Sequence, residues 1–142
     1  MVTRNEFVQK LNADLSTEFQ SIVQYVQHSA TIKGPEYGSV VTEMAQHLGQ
    51  ELEHAKTLAT QVDFLGGTPT VTVPDIPDCP DGTAALKADL DLEERQLNRY
   101  RDRVAEAAEL GLPDVAEALR PLLAQTQEHV IDLQNALGQL SR

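Results

Sequence analysis

Gln46-His47-Leu48-Gly49-Gln50-Glu51-Leu52-Glu53-His54 is the stretch on which the reading of this chain turns. A carboxylate and an imidazole three residues apart lie on one side of a helix. Val40, Met44, Leu58 and Val62 or Leu65 fall on that same side at steps of three and four. That period marks a helix with one buried stripe, spanning about 39–65 and stopped by Gly66-Gly67. Glu51 and His54 therefore sit on a seam that should be apolar, and His47 joins them one turn earlier. Alone, a Glu-x-x-His is a common surface pattern, so its meaning depends on what the other helices bring.

Working outward, Thr3-Arg4-Asn5-Glu6 reads as a capping box opening a helix over about 3–33. Its stripe is Phe7, Leu11, Leu15, Glu18, Ile22, Tyr25 and Ser29, and Gly34-Pro35 ends it. A third helix, about 83–110, carries Leu86, Leu90, Glu93, Leu97, Tyr100, Val104 and Ala107. Gly111-Leu112-Pro113 breaks the chain, with Pro113 suited to a first helical position. The fourth helix, about 113–140, presents Val115, Leu119, Leu122, Thr126, His129, Leu133, Leu137 and Leu140. Pro121 inside it should free the carbonyl of Glu117 and bend the helix. Residues 66–82 hold four of the seven prolines and cannot be helical. Thr-Val-Thr-Val within them alternates like a strand but has no partner strand. The stripes on either side need each other for burial, so 66–82 is expected to run the length of a bundle as an extended crossover. The expected fold is an all-α, antiparallel four-helix bundle with a long connection between helices two and three, one domain over 1–142.

The polar members of the four seams repeat. Glu18 and Tyr25 in helix one match Glu93 and Tyr100 in helix three, and Glu51 and His54 in helix two match Thr126 and His129 in helix four. Glu18 to Glu51 is 33 residues, as is Glu93 to Thr126, so one helix pair is used twice about a pseudo-twofold axis. A di-metal centre in a bundle needs this set: terminal carboxylates from one helix of each pair, and a bridging carboxylate with histidine from the other. Without cations, three glutamates in a core would cost roughly several kcal/mol each.

Composition narrows the function further. A net charge of −11 disfavours nucleic acid and anionic lipid as partners and suits cations. The one cysteine, Cys79, allows no internal disulfide, lies among prolines away from any base, and gives no sign of secretion. Met1 to Lys10 has no apolar core of a signal peptide, and no apolar run approaches a membrane span. A cytoplasmic location is expected.

On Glu18 and Tyr25, Glu51-Leu52-Glu53-His54, Phe64-Leu65-Gly66-Gly67, Ala88-Asp89-Leu90-Asp91-Leu92-Glu93 and Glu128-His129 with Ile131-Asp132, the chain resembles the ferritin-like superfamily, and bacterioferritin most closely. The resemblance spans about residues 5–140. It implies a non-haem di-iron carboxylate protein that binds and oxidises Fe(II) with dioxygen or peroxide. Glu18 and His54 would hold one iron, Glu93 and His129 the other, and Glu51 would bridge. Tyr25 would be a redox-active or hydrogen-bonding residue beside the centre, with Tyr100 near the oxidant.

Three departures qualify that resemblance. Thr126 stands where the family has a second bridging Glu; it could hydrogen-bond a bridge or a water, or simply pack, leaving a weaker or single-metal site. Glu128 lies about 200° around the helix from it and is a poor substitute. Leu52 occupies the haem-ligand position of bacterioferritin, so no haem is expected. The family's short fifth helix is lacking, which points toward a dimer or another homo-oligomer rather than a storage cage. His47 is expected to hydrogen-bond Tyr25 or a ligand glutamate, with an inner-surface or entry-route ligand for metal as the alternative, and His28 to lie on the surface. Glu and His ligands accept iron, manganese and zinc alike. Two further readings follow: a dimanganese or di-iron protein that consumes peroxide, and a non-catalytic metal-binding or dimeric interaction module with a degraded site.

Overall fold

The computed structural model describes the backbone of residues 1–140 and the side chains of residues 1–138. The expected seam position Leu140 therefore lies outside the described side chains. Four long helices follow in order: α1 (Arg4–Thr31), α2 (Gly38–Phe64), α3 (Gly82–Glu109) and α4 (Pro113–Leu140). A single 3-10 turn, Pro35–Tyr37, joins α1 to α2. The helices pair α1 with α2 and α3 with α4, and the pairs meet through α1 with α3 and α2 with α4. No strand occurs among the described residues.

Local chemistry explains each boundary. Thr3 caps α1 by accepting from the Glu6 amide at 3.1 Å. Asp81 caps α3 by accepting from the Ala84 amide at 2.8 Å. At the end of α2 the Gly67 amide donates to the Val62 carbonyl and Gly66 to Asp63; at the end of α3 Leu112 donates to Ala107 and Gly111 to Ala108. Both are Schellman endings, and each needs a left-handed residue, supplied by Gly66 (φ 89°) and Gly111 (φ 74°). Pro121 does not interrupt α4, which runs unbroken from Pro113 to Leu140.

The crossover is extended but pairs with side chains rather than a strand. Asn12 on α1 donates to the Thr68 carbonyl and accepts from the Thr70 amide, each at 2.9 Å. Ser16, one turn further on, donates to the Thr72 carbonyl at 2.8 Å. α1 thus supplies the partners that the Thr-Val-Thr-Val segment lacks in sequence. At the far end Tyr37 lies so close to Gly82 that a Cβ there would come within 2.7 Å of its ring.

The apolar core is in two pieces. One gathers Phe7, Leu11, Leu15, Leu58, Val62, Val115, Leu119 and Leu122; the other gathers Ile32, Val40, Met44, Leu86, Leu133 and Ala136 around Tyr25. Between them the bundle interior is polar, with Glu18, Glu51, His54, Glu93, Thr126 and His129 all at most 2% exposed. The seams of α1 and α3 depart from expectation: on α3 Leu90 and Leu97 are only half-buried, while Asp89, Leu92 and Gln96 are buried. On α1, beyond Glu18, the seam passes through Ser21, Gln24, Tyr25 and His28, while Ile22 and Ser29 are only half-buried. Polar side chains are buried there because α3 presents polar partners, Asp89 and Gln96, across the interface. No helix among the described residues is long and apolar enough to cross a membrane.

Replacing Asn12 by Ala removes two hydrogen bonds to the crossover. It should lower stability by about 1–3 kcal/mol in urea unfolding and speed proteolysis within residues 66–82. An unchanged urea midpoint with unchanged cleavage would show that the crossover does not depend on α1.

Candidate metal centre

The seams deliver their polar residues to one point. Two overlapping groups form, Glu18–Glu51–His54 and Glu51–Glu93–His129, and within each the ligand atoms lie within 4.8 Å of one another. Glu51 belongs to both. His129 Nδ1 stands 2.8 Å from Glu51 Oε1 and 3.4 Å from Glu93 Oε1. His54 Nδ1 stands 3.4 Å from Glu51 Oε2 and 3.7 Å from Glu18 Oε1. All five residues expected as ligands are therefore brought together.

The opposite ring nitrogens are held crosswise. The carbonyl oxygen of Gln125 on α4 accepts from His54 Nε2 at 2.7 Å, and that of Gln50 on α2 accepts from His129 Nε2 at 2.5 Å. A neutral imidazole that donates through Nε2 carries a lone pair on Nδ1. Both Nδ1 lone pairs thus face carboxylate oxygens, acceptor against acceptor. The buried Nδ1 atoms of His54 and His129, with Glu18 Oε2 and Glu51 Oε1, have no hydrogen-bond partner. Such a set is satisfied by cations or by protons, and its nitrogen and oxygen donors suit divalent first-row ions.

The ionisation of the centre follows from the same crowding. Burial pushes Glu51 well above the usual carboxylate range, and the neighbouring Glu18 and Glu93 charges push it further. Burial also works against the Glu18 charge, but the Glu51, His54 and Tyr100 side chains beside it outweigh that and hold Glu18 at about 2. Burial opposes charge on His54, and the neighbouring Glu18 carboxylate overcomes it, raising that imidazole.

The tyrosines are exchanged between the halves. Tyr25 on α1 donates to Glu93 Oε1 on α3 at 2.9 Å, and Tyr100 on α3 donates a short hydrogen bond to Glu18 Oε1 on α1. Gln96 adds a second donor to Glu18 at 3.0 Å. Burial, then the glutamate charges, raise both phenols well above their ordinary value, so both remain donors.

Two expectations, on His47 and His28, are corrected by these contacts, and Thr126 takes the packing alternative. Thr126 is fully buried, but its hydroxyl donates to the Leu122 carbonyl at 2.7 Å. The Leu122 carbonyl thus takes up the hydroxyl, and no carboxylate mirrors Glu51. His47 bonds neither Tyr25 nor a ligand glutamate. Its Nε2 pairs with Asp132 Oδ2 at 3.1 Å, and its ring stacks on His129 with centroids 4.0 Å apart. It thereby joins Asp132, whose side chain is 40% exposed, to the centre. Burial, then the proximity of His129, lowers its pKa. His28 is not on the surface: it is 2% exposed, and its Nδ1 lies 2.8 Å from Asp89 Oδ2. Glu128 is exposed, as its position around the helix requires.

Sequence reasoning missed Gln50, Gln125, Asp89 and the buried ion pair of Asp14 with Arg103, whose Nε lies 2.8 Å from Asp14 Oδ2. The 75-residue offset from Glu18 to Glu93 was the available signal. It also relates Asp14 to Asp89, His28 to Arg103 and Gln50 to Gln125. Each carboxylate Asp14 or Asp89 meets a cationic or imidazole side chain at the mirrored place on the other helix.

Residues 8–142 match the family described as the ferritin-like domain. The chain belongs to the ferritin-like domain family. Among solved structures this ferritin-like chain is similar to a crystal structure described as ferritin-like, diiron-carboxylate proteins from Bacillus anthracis str. Ames. The two are 27% identical with a TM-score of 0.90, over 96% of this chain and 99% of that one. No curated protein matches it by sequence.

Glu51→Gln keeps the shape of the bridge and removes its charge. A carboxyl whose folded pKa is raised contributes most below its unfolded value and loses that contribution as pH rises toward the folded one. Glu51→Gln should therefore raise the urea midpoint of chelator-treated protein, and by more at pH 7.5 than at pH 5. A lower midpoint at pH 7.5 would mean that Glu51 is not held under electrostatic strain.

Proposed function

We propose that this protein is a bacterioferritin-like, non-haem di-iron carboxylate protein that oxidises Fe(II). The observation that carries the reading is the sharing of Glu51 by two carboxylate–histidine groups whose Nδ1 lone pairs face carboxylate oxygens. Glu18 and His54 hold one ion, Glu93 and His129 the other, and Glu51 bridges. The diiron-carboxylate description of the Bacillus anthracis protein supports iron over manganese or zinc.

Iron is the substrate. Two Fe(II) ions give up two electrons, which with two protons reduce dioxygen to hydrogen peroxide, or hydrogen peroxide to two waters. The residues of the chain prepare that exchange. Cations bind the ionised form of Glu51, which burial and its neighbours disfavour, so binding weakens as pH falls. Tyr25, hydrogen-bonded to Glu93, is the catalytic side chain beside the centre, able to pass a hydrogen atom or hold a proton at its hydroxyl. Tyr100 does the corresponding work at Glu18. His47 and Asp132 give cations an acidic approach to His129. The two apolar clusters on either side keep bulk water from the oxidant. The location is read as cytoplasmic and the assembly as a homo-oligomer, a dimer in preference to a cage.

One feature favours a second reading. The Thr126 hydroxyl is turned to Leu122, so one side of the centre has no bridging carboxylate, which would leave a coordination position for a small oxidant. That suits a dimanganese or di-iron protein that consumes peroxide.

Metal-free protein given two Fe(II) per chain in air should oxidise them faster than buffer does, followed by ferric absorbance and oxygen uptake. Glu51→Ala with His54→Ala should bring the rate down to that of buffer. Oxygen release from peroxide without net iron oxidation would favour the second reading. Protein that takes up no iron, manganese or zinc would overturn both. Mass in solution distinguishes dimer from cage.

A further inference from the structure

We infer that Gln50 and Gln125 are positioning residues of the centre, each fixing the tautomer and ring orientation of the metal-facing histidine on the opposite helix. The inference rests on the di-metal reading above and adds to it the device that makes the histidines ready as ligands.

The geometry is direct. Gln50 on α2 reaches His129 on α4 at 2.5 Å, and Gln125 on α4 reaches His54 on α2 at 2.7 Å. In both contacts the atom facing Nε2 is a carbonyl oxygen, which can only accept. The hydrogen of each neutral ring is thereby placed on Nε2, and Nδ1 is left as a lone pair. Both Nδ1 atoms point at carboxylates, and neither has a hydrogen-bond partner. Without the glutamine, the lower-energy arrangement moves the hydrogen to Nδ1, where it can donate to Glu51 only 2.8 Å from His129. That tautomer blocks the metal-facing nitrogen.

Two features separate this role from ordinary packing. The contact occurs twice, at positions offset by the same 75 residues that relate the other mirrored side chains. It is also kept where the bridge is not: Gln125 precedes Thr126, as Gln50 precedes Glu51. The clamp thus serves the histidine rather than the bridging residue. An amide also accepts a hydrogen bond without adding a fourth carboxylate charge to the centre. Groups that hold a ligating imidazole by its far nitrogen commonly govern metal affinity by about 10- to 100-fold.

The test uses Zn(II), which needs no oxidant, and the full chain. Gln50→Leu should weaken Zn(II) binding in a competition titration by about 10- to 100-fold, while Gln50→Glu, which keeps an acceptor, returns it to the wild-type range. Nitrogen-15 imidazole shifts of the metal-free protein, read at a pH where the rings are neutral, should report hydrogen on Nε2 of His129 in the wild type. In Gln50→Leu the hydrogen should move to Nδ1. Gln125→Leu should do the same to His54 and serves as the second variant if Gln50→Leu does not fold. Wild-type His129 carrying its hydrogen on Nδ1, or Zn(II) affinity unchanged in both leucine variants, overturns the inference. Wild-type protein that fails to bind Zn(II), iron or manganese overturns the di-metal reading, and the nitrogen shifts still report whether the clamp sets the tautomer.

Discussion

Three glutamate carboxylates and two imidazole lone pairs converge on a point inside the bundle with no donor between them. Such a meeting of acceptors is unfavourable in a low-dielectric interior unless a positive charge occupies it. Much of the surrounding structure can be understood as managing this one constraint. Donors are brought to the outer oxygens: Tyr25 to Glu93, Tyr100 and Gln96 to Glu18. Acceptors are brought to the outer nitrogens: Gln50 and Gln125. What remains unsatisfied points inward.

The donors cross between helix pairs, and that crossing ties the bundle together. α1 and α3 exchange tyrosines; α2 and α4 exchange glutamine–histidine contacts and the His47–Asp132 pair. Further along the α1–α3 interface the same exchange is repeated with full charges. Asp14 meets Arg103 and Asp89 meets His28, all four buried. Burial still lifts Asp14 to about 6 despite the Arg103 charge, so even its ion pair does not repay the loss of water entirely. The polar layer divides the apolar core in two, and the flanking Leu, Val and Phe clusters supply the hydrophobic stabilisation that this layer does not.

The two halves are related but not equal. Where Glu51 bridges, its mate Thr126 returns its hydroxyl to its own helix. His47 likewise has Leu122 as its mate at the same 75-residue offset. One half is therefore more polar, with a link through His47 to the half-exposed Asp132, and the other is more apolar. The frame is thus symmetric while its two carboxylate–histidine groups are not, and the single carboxylate of Glu51 belongs to both.

The sequence by itself determined the helical bundle and the cluster of Glu18, Glu51, His54, Glu93 and His129. Both are properties of period: steps of three and four place residues on a seam, and seams must bury against each other. The proline-rich crossover was legible for the same kind of reason, since local backbone chemistry forbids a helix there. Only the tertiary structure decided the partners across helices. Nothing in the period of α1 puts His28 opposite Asp89, gives Asn12 the crossover to hold, or directs His47 to Asp132 instead of Tyr25. Such pairings depend on the rotation and axial offset of one helix against another, set by the packing of whole faces. For the same reason Gln50 read as an ordinary polar residue until α4 placed His129 within its reach.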